Sequence, residues 1–129
     1  MKREFIRVEL TLLSPEEGGR QTPIVQEAFH GHYRPHIVIG DPAQREPILV
    51  ERDGVKNYID EDYLGVAFWE GPNKEILPTN EPMQLLMVLS YFPDVNYEMV
   101  IPGATYTLRE GGRIIGYGEI KERWGEEVA

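Results

Sequence analysis

Apolar and polar residues alternate along residues 4–13: Ile6, Val8, Leu10 and Leu12 fall on one side, Phe5, Arg7, Glu9 and Thr11 on the other. A period of two is the mark of a half-buried strand. Shorter apolar runs follow at residues 29–39, 47–51 and 63–69, and each reads as a strand. Residues 24–28 read as an extension into the first of these, and Pro35 breaks, bulges or edges it because proline donates nothing to a ladder. Residues 83–92 form the most apolar run. Helix and strand both fit its periodicity, but Pro82 and Pro93 bound it and its neighbours are strand-like, so strand is expected. Residues 14–23, 40–46, 71–82 and 93–103 read as loops or turns, and 52–62 as a charged connector turning at Asp53-Gly54.

Residues 105–120 predict a hairpin. Tyr106 and Leu108 alternate with Thr105, Thr107 and Arg109, and Ile114, Ile115 and Tyr117 return beyond Gly111-Gly112. Glycine reaches the positive φ that a two-residue primed turn demands, and Glu110 and Arg113 then face each other across it. Gly116 and Gly118 inside the returning strand signal a close approach, by the next barrel strand or by a ligand. Residues 121–129 read as a charged tail. This series of short strands at hairpin spacing predicts an all-β chain, a closed antiparallel barrel of about six main strands.

A chain of 129 residues is one domain by size and is long enough to bury a core. The absence of cysteine excludes a disulfide framework and a thiol nucleophile. Charged residues interrupt the N-terminal apolar positions, and no apolar run approaches the ~20 residues of a membrane span, so neither signal peptide nor membrane partner is expected. A soluble, cytoplasmic protein is the expectation. A formal charge of −9 argues against general nucleic-acid binding, which depends on neutralising phosphates.

No catalytic constellation emerges. His30, His32 and His36 share strand parity, as three zinc-binding imidazoles could, but Pro35 interrupts them and they read as surface or pocket-rim histidines with no metal. The acidic runs at Glu16-Glu17, Asp60-Glu61-Asp62 and Glu126-Glu127 read as solvated. Neither serine lies in a Gly-x-Ser-x-Gly elbow. Gly111 and Gly116 have the opening spacing of a phosphate loop but lack its lysine, so no cofactor or nucleotide is expected. What remains is a set of arginines on or near tight turns: Arg20, Arg34, Arg109 and Arg113. They suit phosphate oxygens or, equally, neighbouring glutamates.

Two Glu-Gly-Gly-Arg segments, at Glu17–Arg20 and Glu110–Arg113, stand with Gly31-His32-Tyr33-Arg34-Pro35. Together they resemble the third domain of translation elongation factor Tu, the C-terminal six-stranded β-barrel of that GTPase, over roughly residues 5–120. The resemblance implies a non-catalytic, translation-factor-like binding module that cradles the T-stem backbone of aminoacyl-tRNA. By motif it carries that role to Gly19, Arg20 and Gln21, to Tyr33, Arg34 and His36, and to Glu110, Gly111, Gly112 and Arg113. The family domain also contacts proteins, so a protein-interaction or regulatory module that mimics it without binding RNA is the alternative. The family usually has histidine at the position of Gln21 and glutamine at that of His36, and residues 41–62 stand as an insertion. With no GTPase or second domain in the sequence, a stand-alone homologue is expected.

Overall fold

The computed structural model describes residues 1–127. Among these residues eight strands form: β1 (Lys2–Leu12), β2 (His36–Ile39), β3 (Leu49–Arg52), β4 (Val55–Ile59), β5 (Leu64–Glu70), β6 (Met83–Leu89), β7 (Thr105–Glu110) and β8 (Arg113–Glu127). Six of them close an antiparallel barrel in the order β1-β6-β5-β2-β7-β8, and β3-β4 make a separate two-stranded sheet. No helix among the described residues is long and apolar enough to cross a membrane.

The alternation of β1 explains its place. Ile6, Val8 and Leu10 are fully buried in the barrel with Ile37, Val66, Phe68, Met87, Tyr106, Leu108 and Ile120. The opposite face of β1 carries a smaller cluster, in which buried Phe5, Ala67 and Val88 pack with partly buried Trp69 and Trp124. The apolar run at 83–92 is a strand over Met83–Leu89, as its flanking prolines and neighbours indicated, but its last three residues, 90–92, turn away. Gly116 and Gly118 lie against β1: a Cβ at Gly118 would collide with Glu9 O and stand 2.7 Å from Tyr106 Oη, and one at Gly116 would stand 2.9 Å from Thr11 O. The close approach is therefore made by the neighbouring strand.

Four expectations need correction. The second strand spans only His36–Ile39, because His30 (φ 64°) and Gly31 (φ 89°) take left-handed backbone and turn the chain first. The stretch between still leans on β5, where Phe68 N donates to Tyr33 O (2.9 Å) and Val66 N to Pro35 O (3.1 Å). Residues 24–28 make one bridge, Val25 to Ile76, and then a 3-10 turn at Gln26–Ala28 in place of a strand. The charged connector contains β4: Asp53 (φ 51°) and Gly54 (φ 79°) form a two-residue hairpin turn with the left-handed values of a type I′ turn, and Val55 pairs with Arg52 across it. The charged tail extends β8 to Glu127, held by pairing with Lys2 to Arg7 of β1 across a bulge at Arg7/Val8. Residues 128–129 of that tail lie outside the described residues.

Candidate functional site

The two Glu-Gly-Gly-Arg turns meet at one end of the barrel. Gly19 is buried, and a Cβ there would run into Leu13 O, so only glycine fits the path that brings Arg20 over the rim. Gly111 (φ 57°) supplies the positive φ of the second turn. Each turn engages the other: Arg20 Nη1 donates to Glu110 Oε2 (2.9 Å), and Arg113 Nη1 donates to Gly19 O (3.3 Å). Although Glu110 and Arg113 are register partners, the carboxylate pairs with the arginine of the other turn.

Tyr33 completes the cluster. Its ring packs edge-on against Phe68 (4.9 Å between centroids) and its hydroxyl donates to Glu110 Oε2 (2.5 Å). Burial, and then the Glu110 carboxylate, push the Tyr33 hydroxyl pKa far up, so it stays a donor. The Arg20 guanidinium lies 5.3 Å from the Tyr33 ring centroid, and its Nη2 donates to Thr22 Oγ1 (3.1 Å). Arg20 is thus engaged by a carboxylate, a hydroxyl and a ring, with 28% of its side chain exposed. Gln21 is exposed beside it.

Gly19, Arg20, Tyr33, Glu110 and Arg113 therefore come together, with Gly111 and Gly112 at the tip. Arg34 does not join them. Its Nε donates to Gly31 O (2.9 Å), and its side chain lines a groove on the outer wall with Lys2, Trp69 and Tyr91. His36 lies on the outer wall against the Tyr63 ring (5.7 Å), and Tyr63 in turn donates its hydroxyl to Gly111 O (2.8 Å). The three histidines share no face: His30 meets Trp69 edge-on, and His32 Nδ1 pairs with Glu27 O at 3.0 Å. Among the described residues no cluster of histidine, aspartate and glutamate could hold a metal.

The site residues missed by the sequence reading sit under the 41–62 excursion. Glu61, expected in a solvated run, has a side chain only 6% exposed and takes both terminal nitrogens of the fully buried Arg109, Nη1 to Oε1 and Nη2 to Oε2, each at 2.8 Å. Arg109 Nε also donates to Thr107 Oγ1 (3.0 Å). Glu61 further accepts from Ile48 N (2.8 Å) and Gln44 Nε2 (3.0 Å). The Arg109 hydrogen bonds hold the Glu61 carboxyl down to about 2, with burial opposing. The network clamps the β3-β4 side of the excursion to β7 and brings Ile59 and Pro47 beside Gly112. The outward parity of Thr107 and Arg109 on β7 was the available signal that something covers that face.

No family model matches the chain, and no curated protein matches it.

Proposed function

We propose that the chain is a non-catalytic binding module whose partner is a protein, engaged by the rim of the two Glu-Gly-Gly-Arg turns and by the β3-β4 hairpin beside it. The hairpin carries this reading: Ile48, Leu49, Val55 and Tyr58 are 54, 48, 56 and 41% exposed on it. Apolar and aromatic side chains gathered on a projecting element suit a protein contact. The pairing of Arg20 with Glu110 and the formal charge of −9 point the same way, because both weaken attraction for phosphates. The module takes no nucleotide and no membrane in this reading, and a cytoplasmic location fits its lack of cysteine.

A second reading follows from the resemblance to the third domain of elongation factor Tu. Residues from both glycine turns and Tyr33 converge at the rim, and Arg113 remains exposed there, as a weak tRNA-backbone contact would require. A photo-crosslinking amino acid at Gln21, used in cells, separates the two. The protein reading expects an adduct that resists ribonuclease and is destroyed by protease; a ribonuclease-sensitive adduct would favour the second.

A further inference from the structure

Arg3 and Arg34 stand together along an outer-wall groove of about 390 Å³, whose aromatic walls are Trp69 and Tyr91; Lys2 lines it too, but its side chain turns to the other face, beside Gly125 and Glu4. No acidic side chain among the described residues lines the groove, a local inversion on a chain with a formal charge of −9. Among the described residues, neither guanidinium has a carboxylate within 4.0 Å. Arg3 lies 5.4 Å from the Trp69 ring centroid, and Glu4, next along the strand, turns to Arg123 (3.8 Å).

The groove also holds a strand edge. β6 pairs with β1 only from Phe5, opposite Val88. Beyond that point Leu89 pairs with Val66, and Ser90 N donates to Gly65 O (3.2 Å), so the chain leaves β1. Lys2 to Glu4 keep β8 as a neighbour on one side and, among the described residues, have no strand on the other. An unpaired edge presents main-chain donors and acceptors that an extended polypeptide can match.

We propose that this edge receives an extended acidic segment of the protein partner, laid antiparallel to β1 in line with β6. Its carboxylates meet Arg3 and Arg34 while its backbone pairs with Lys2 to Glu4. The proposal rests on the protein-partner reading and gives that partner a chemistry. A nucleic-acid strand would match the cations but not the main-chain edge, and its phosphates would meet the acidic surface beyond the groove.

The probe is an acetylated, amidated heptapeptide of alternating glutamate and threonine. It is titrated against the full chain carrying Trp124→Phe, which leaves Trp69 as the fluorescent reporter. The expected result is a saturable fluorescence change that weakens at least tenfold with Arg3→Glu and with Arg34→Glu, each variant checked for an unchanged circular dichroism spectrum. The same peptide with alternate amides N-methylated should lose binding, and a lysine–threonine heptapeptide should not bind. Absence of saturable binding, or binding indifferent to both charge reversals or to N-methylation, would overturn the proposal. So would a single-stranded oligonucleotide that binds more tightly and displaces the peptide. A peptide failure beside a ribonuclease-resistant Gln21 adduct removes only the acidic edge; a ribonuclease-sensitive adduct removes the protein-partner reading itself.

Discussion

Arg109 and Glu61 lie 48 positions apart and form a two-pronged ion pair at 2.8 Å with both side chains withdrawn from water. Leaving one member of such a pair buried alone costs about 3–5 kcal/mol, whereas replacing both by apolar groups of similar volume is often near neutral. Glu61→Gln should therefore lower unfolding free energy by about 3 kcal/mol. The double replacement Glu61→Leu with Arg109→Met should recover most of it. Urea unfolding of the three proteins tests this, and equal losses in the single and double variants would count against the clamp.

The same pair sets an acid response. The folded-state value for Glu61 is about 2 against an ordinary 4.5. A depressed folded-state value means that the unfolded chain takes up the proton first as pH falls. The contribution is complete above 4.5 and is lost between 4.5 and about 2. A separation of that size corresponds to about 3 kcal/mol. The urea midpoint should fall across this window, and the fall should be shallower in Glu61→Gln than in the parent chain.

Gly118→Ala should be among the most damaging single changes in the barrel. The added methyl meets the Glu9 carbonyl of β1 and the Tyr106 hydroxyl, which itself donates to Glu9 O at 2.8 Å. Overpacking of this kind costs about 1–3 kcal/mol. Gly111→Ala, with nothing within 4 Å of its Cβ, meets only the backbone penalty of φ 57°. Thermal melts of the two variants should rank Gly118→Ala lower.

At the rim the effects should be smaller. Arg20 and Glu110 are 28 and 33% exposed, and such pairs contribute about 0.2–1 kcal/mol. Removing the Tyr33 hydroxyl, which donates to the Glu110 carboxylate, should cost about 1.5 kcal/mol, the low end of the values for a hydrogen bond to a charged group. A double-mutant cycle over Arg20→Ala and Glu110→Gln should give a coupling within that lower range. Rim variants would then stay folded and report on binding rather than stability.

The barrel was legible because its strands carry the period-two pattern or sit between prolines, as in β1, β6 and the β7-β8 hairpin. Strands that lack an apolar face were not legible. β4 is exposed at four of its five residues, and the end of β8 is Lys-Glu-Arg-Trp-Gly-Glu-Glu, so pairing rather than patterning makes them strands. The Phe29–Tyr33 path failed for a local reason, a left-handed His30 that propensity does not announce. At the site, the two glycine turns were grouped only by the resemblance, since nothing in their spacing says that they meet. The partners were not legible: Glu110 chose Arg20 over its register neighbour Arg113, and Glu61 left an acidic run to meet a buried arginine, choices made by tertiary packing.

The central proposal is that the module's partner is a protein, as the exposed apolar residues of the β3-β4 hairpin suggest, and that the Arg20 charge, matched by Glu110 within the fold, is not left for phosphates. A titration of labelled tRNA against the chain at 50 mM and 200 mM salt, read by mobility shift, tests it most directly. The account expects no saturable binding even at the lower salt, with a dissociation constant no tighter than about 10⁻⁴ M. A constant of about 10⁻⁶ M or tighter, falling steeply with salt and weakened by Arg20→Ala, would contradict it and make the rim an RNA-backbone site.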